Sequence, residues 1–88
     1  MSRGALLRAL DDAIAAARRL AAGGVVDQSR VQQLVEELTV RRAEVAAGRG
    51  LDREWAGRTV RWVAEWLPDG ELPLLARLGA IVRAAGPS

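Results

Sequence analysis

The stretch DREWAGRTVRWVAEWLPDG, residues 52–70, is a whole helical element spelled out in residue types. Asp52 is a short acceptor suited to cap the free N–H groups of a first turn, and Pro68-Asp69-Gly70 is a turn signal that stops a helix, so the spacing predicts one over residues 52–67. Advancing about 100° per residue from Trp55, the aliphatic residues Val60, Val63 and Leu67 fall near 80° to 140°, whereas Trp55, Trp62 and Trp66 fall within about 20° of zero. The helix therefore carries two adjoining apolar stripes, one aliphatic and one of tryptophan. Two stripes need two surfaces to bury against.

The residues on either side supply such surfaces. After the turn, residues 71–85 place Leu74, Leu75, Leu78, Ile81, Val82 and Ala85 on one side of a shorter helix, and the tail Gly86-Pro87-Ser88 is expected to fray. Before Asp52, a helix over about residues 28–47 carries the stripe Val31, Leu34, Val35, Leu38 and Val45. Asp27 or Ser29 can open it, since Ser29-x-x-Gln32 has the form of a capping box, and Gly48-Arg49-Gly50 closes it. The first helix, over about residues 2–22 from Ser2, repeats Leu6, Leu7, Leu10, Ile14, Ala17 and Ala21 at helical spacing and ends at Gly23-Gly24. Short connections between consecutive helices favour antiparallel hairpins. The expectation is an all-α fold, a small four-helix bundle of two packed hairpins forming a single helical domain over residues 1–88.

Composition points the same way. Half of the 88 residues are apolar, and with no Phe, Tyr or Cys the core must be built from Leu, Val, Ile, Ala and the three Trp. Ala and Leu favour helix, and the residues that mark strands are sparse. Every basic residue is Arg and none is Lys, which fits a GC-rich bacterial genome at least as well as a selected role for guanidinium groups. An N-terminal apolar run is broken by Arg8, Asp11 and Asp12 before it reaches signal-peptide length, and no run elsewhere approaches the roughly 20 apolar residues of a membrane span. A cytoplasmic location follows as the expectation.

Catalytic equipment is missing from the residue inventory. Without Cys there is no disulfide framework or thiolate site, and without His the commonest transition-metal ligand is absent, so no metal and no cofactor is expected. Ser2, Ser29, Ser88, Thr39 and Thr59 have no His, Lys or Cys to activate them. Asp11-Asp12 and Glu36-Glu37 are adjacent on their helices, diverge by about 100°, and cannot converge on one substrate bond. The clusters Gly23-Gly24 and Gly48-Arg49-Gly50 lack the strand and the Lys-Ser/Thr of a phosphate loop, and no Asp-Ser-Leu-like site for a phosphopantetheine arm can be written. No catalytic residue and no small-molecule substrate are expected. Same-helix pairs such as Arg8 with Asp12, Glu37 with Arg41, Glu54 with Arg58 and Arg61 with Glu65 mark solvated faces, each adding about 0.2–0.5 kcal/mol to its helix.

The first helix holds Arg3, Arg8, Arg18 and Arg19 against Asp11 and Asp12, and this excess accounts for the whole formal charge of +2. A nucleic-acid-binding regulator using those arginines is the alternative to a protein-binding function, but nucleic acid is not the expected partner. The segment that would serve as a recognition helix, Glu71 to Ala85, has Arg77 and Arg83 but no Asn, Gln, Ser or Thr for base edges.

Two positions depart from a plain bundle. Arg42 falls inside the stripe of the second helix, either as a paired anchor at an interface or with its stem snorkelling toward the helix end. The tryptophans either fill the core in place of Phe and Tyr or face the fourth helix, a second copy or another protein. Three rings on one line is much ring area for a small core, and Arg58 beside them adds a second residue type enriched at binding hot spots. The sequence thus points to a non-enzymatic α-helical interaction module, an adaptor, docking or regulatory subunit that self-associates or is completed by a protein partner through Trp55, Arg58, Trp62, Trp66 and Arg42. A minor structural subunit of a larger assembly would read the same.

Overall fold

The computed structural model describes residues 3–24, 26–68 and 70–85, and arranges them as α1 (Arg3–Gly23), α2 (Gln28–Ala46), α3 (Arg53–Trp66) and α4 (Leu72–Ala85), with no strand among them. Ser2, Asp69 and the tail Gly86-Pro87-Ser88 lie outside the described residues. The fold is a small all-α four-helix bundle in which α1 packs on α2, α3 packs on α4, and the two hairpins join through α1 and α4. None of these helices is long and apolar enough to cross a membrane.

Local chemistry sets the helix ends. The Asp27 carboxylate accepts from the N–H groups of Ser29 and Arg30, and Asp52 does the same for Glu54. The cap of α2 is therefore Asp27 and not the Ser29-x-x-Gln32 box, because a helix that already starts at Gln28 has Ser29 inside its first turn. At the other end of α2, Arg49 N–H donates to the Glu44 carbonyl and Gly48 N–H to that of Val45, with Gly48 at φ 95°. This pairing ties off the last carbonyls and requires a left-handed residue that glycine adopts without strain. The Gln28 side chain donates to the Ala21 carbonyl at 3.0 Å, so the second helix caps the end of the first across the hairpin turn.

The core runs through the middle of the bundle, with Leu10, Val31, Leu34, Leu38, Val45, Val63 and Ile81 almost wholly shielded. On α1 the buried face is Leu6, Leu10, Ala13, Ile14, Ala17 and Leu20, while Leu7 and Ala21 are only half-buried. The expected stripe is thus shifted toward Ala13 and Leu20, because α1 covers two neighbours, α2 and α4, and its buried sector spans both. Ala13 and Ala17, one turn apart and fully buried, add no bulk where those helices press against it.

On α3 the two stripes expected from the sequence form one face. Its centre, made of Trp55, Ala56, Thr59 and Val63, is buried, and Val60 and Leu67 at one edge, Trp62 at the other and Trp66 in the last turn are half-buried. Thr59 lies between the two stripes and Ala56 within the aliphatic one, and both are buried. The aliphatic stripe alone does not dock the helix.

Candidate interaction surface

Helices α2 and α3 follow one another in sequence yet do not pack backbone to backbone: no Cα of one lies within 8 Å of a Cα of the other. They face each other across a groove lined by Glu37, Arg41, Trp55, Arg58, Thr59 and Trp62. Long side chains bridge it. The Trp55 indole N–H donates to Glu37 Oε1 at 3.2 Å, and the Arg41 guanidinium sits 5.1 Å from the centre of the Trp55 ring. A cation over an indole face is attracted by its quadrupole, and Arg41 is held there by an ion pair with Glu44 at 3.2 Å.

Trp55 is therefore a core residue, 6 % exposed, with its polar edge satisfied from α2. As a member of the expected partner-binding set it is set apart from the other two: this chain already uses its ring and its N–H. Trp62 and Trp66 are half-buried at the rim of the core and pack on each other edge to face, with ring centroids 5.2 Å apart and planes at 70°. The Trp66 indole N–H is shielded from water and has no acceptor, and the Arg41 Nε–H is in the same condition. Such an unmade bond costs roughly 1–3 kcal/mol. Arg58, 60 % exposed, reaches Glu54 at only 3.7 Å. Trp62, Trp66 and Arg58 thus form a continuous, accessible flank of α3 beside the groove.

Arg42 has a partner on α1, where its Nε donates to Asp11 Oδ1 at 3.0 Å. It is neither buried nor free at the helix end, and it cross-links the first hairpin. Arg41 and Arg42 flank the α2 stripe about 50° to either side of its centre, so one points to α3 and the other to α1. Residue type gave no means of telling them apart. Glu37 and Arg41, expected to pair with each other on a solvated face, are drawn instead to Trp55 and to Glu44. The available signal was angular: Arg41 lies as close to the apolar stripe as Arg42 does.

The arginines of α1 are all exposed, but the helix does not gather them. Arg8 and Arg19 share an outer line with Asp12 between them and stand about 16 Å apart along the axis, while Arg3 and Arg18 point elsewhere. Arg3 instead joins Arg49 beside Val45 and Leu51 in a shallow groove at the end of the bundle. No cluster of three or more acidic side chains able to hold a metal ion forms among the described residues. No protein-family model, curated protein or solved structure matches the chain significantly.

Proposed function

We propose that this chain is a non-enzymatic, cytoplasmic protein–protein interaction module, an adaptor, docking or regulatory subunit, and that it engages its partner through the flank of α3 formed by Arg58, Trp62 and Trp66. The observation that carries the reading is the contrast between rings on one helix line: Trp55 is buried and hydrogen-bonded, whereas Trp62 and Trp66 lean on each other at the rim with one N–H unsatisfied. Half-covered tryptophans beside an arginine have the composition of a binding hot spot, and covering them removes a large apolar area from water. Arg42 supports the surface indirectly by holding α2 against α1. The inventory of the chain argues for the non-enzymatic half of the proposal, since it holds no His, Lys or Cys to activate a serine or threonine hydroxyl.

The test is truncation on the two sides of the contrast. Trp62→Ala and Trp66→Ala are expected to leave a folded monomer, costing roughly 1–2 kcal/mol of stability for their half-buried rings. If either unfolds the domain as a core truncation would, the rings belong to the core and the interaction reading fails.

A further inference from the structure

The flank of α3 has a charge order that suits one particular occupant. Arg58 lies one turn before Trp62 and Glu65 one turn after it, and with Trp66 they make a strip whose directions on the helix span about 100°. Both charged side chains are exposed, and the midpoint between them falls beside Trp62. Turning such a strip end for end exchanges its positive and negative positions. A second strip of the same sequence laid antiparallel therefore meets it with opposite charges in register, Arg58 against Glu65 and Glu65 against Arg58, at about 5 Å on either side of the axis. A strip carrying one sign of charge would instead need a different protein.

We infer that the occupant of this flank is a second copy of the chain, with α3 packed antiparallel on α3 about a two-fold axis through the Trp62 region and the two Arg58–Glu65 pairs closing its ends. This rests on the interaction reading above and sharpens it. The open side between α2 and α3 gives the approaching helix room, because those backbones stay apart and are bridged by side chains, Glu37 and Arg41 reaching Trp55. The arrangement is isologous: the same patch serves both copies, so it closes at a dimer. One helix face with its rim buries less than the ~1,600 Å² of a standard interface, the size class of weak and transient associations.

Sedimentation equilibrium of the full chain from about 1 µM to about 1 mM, a range that reaches a weak dimer, tests this with charge reversals at exposed positions that leave the helical circular dichroism unchanged. Arg58→Glu and Glu65→Arg should each weaken dimerisation about 10-fold or more, because each sets like charges opposite one another twice. The double variant R58E/E65R should recover dimerisation. So should an equimolar mixture of the two single variants, in which every facing pair is again opposite in sign. A wild-type chain that stays monomeric throughout overturns the pairing, as do single reversals without effect or a double variant as weak as the singles. Those failures leave the broader reading standing, because that reading falls only if Trp62→Ala or Trp66→Ala unfolds the monomer.

Discussion

Trp55 and Trp66 lie on the same line of α3, three turns apart, and meet different fates. At the N-terminal end of the helix the ring enters the bundle, its N–H reaches Glu37, and Arg41 covers its face. At the C-terminal end the ring rests on Trp62 and its N–H finds nothing. Direction around the helix is the same for both, so direction does not decide burial. What differs is the neighbour: α2 supplies a carboxylate and a guanidinium to Trp55, whereas Trp66 packs against the ring of Trp62 on its own helix. A stripe of one residue type is thus divided by the tertiary structure into a structural part and an available part.

The largest expected effect is at the structural end. Trp55→Ala should cost about 3–5 kcal/mol of folding stability, since it empties a buried indole site and leaves Glu37 without its donor. A domain of this size has little margin, so chemical denaturation is expected to show a shallow transition or none. A loss below about 1 kcal/mol would mean that the ring is dispensable and the division of the stripe is false.

At the available end the effect moves from folding to association. Trp62→Ala should weaken dimerisation or partner binding by about 2 kcal/mol or more, with a folded monomer left behind. Comparing melts and sedimentation for the Trp55 and Trp62 variants places each ring on one axis or the other. Equal destabilisation by both would erase the contrast.

These two predictions also mark how far the sequence could be read. The helices and their all-α packing were legible, because capping aspartates, glycine stops and apolar spacing act locally and say the same thing at each boundary. The division of α3 was not. Helical angles place Trp55, Trp62 and Trp66 on one line and Val60, Val63 and Leu67 on another, but the buried centre takes Trp55 from one set and Val63 from the other, with Thr59 between them and Ala56 beside Val63. Ala56 and Thr59 are too small to stand out in a stripe read from large apolar side chains, yet both are buried. The same limit applies to Arg41 and Arg42, which flank a stripe symmetrically and are told apart only by what lies opposite each.

A smaller effect tests the local rules. Asp27→Ala removes the acceptor for two N–H groups of α2 and should cost about 1 kcal/mol, whereas Ser29→Ala should be nearly silent. Thermal melts that ranked them in the reverse order would restore the Ser29-x-x-Gln32 box as the working cap.

The smallest expected effects separate the two arginines, and salt rather than magnitude is the discriminating variable. Arg42 pairs with Asp11 at 3.0 Å, with the two side chains 42 % and 53 % exposed, so the interaction is largely in water. Replacing Arg42 by Met keeps most of the stem and removes the charge, and should cost about 0.2–1 kcal/mol at low ionic strength. That cost should vanish near 1 M salt, where screening acts within about 3 Å. Arg41 stands over the Trp55 ring with its Nε shielded from water, so its attraction to the indole is less open to screening. Its replacement by Met also removes a buried donor that has no acceptor, which offsets part of the loss. Arg41→Met also removes the ion pair with Glu44, whose side chains are 29 % and 35 % exposed, so it should change stability by under about 1 kcal/mol and with a weaker salt dependence than Arg42→Met. Paired melts of the two variants across ionic strength check both statements at once. An Arg41 as salt-dependent as Arg42 would place that guanidinium in solvent, and with it the cover over Trp55.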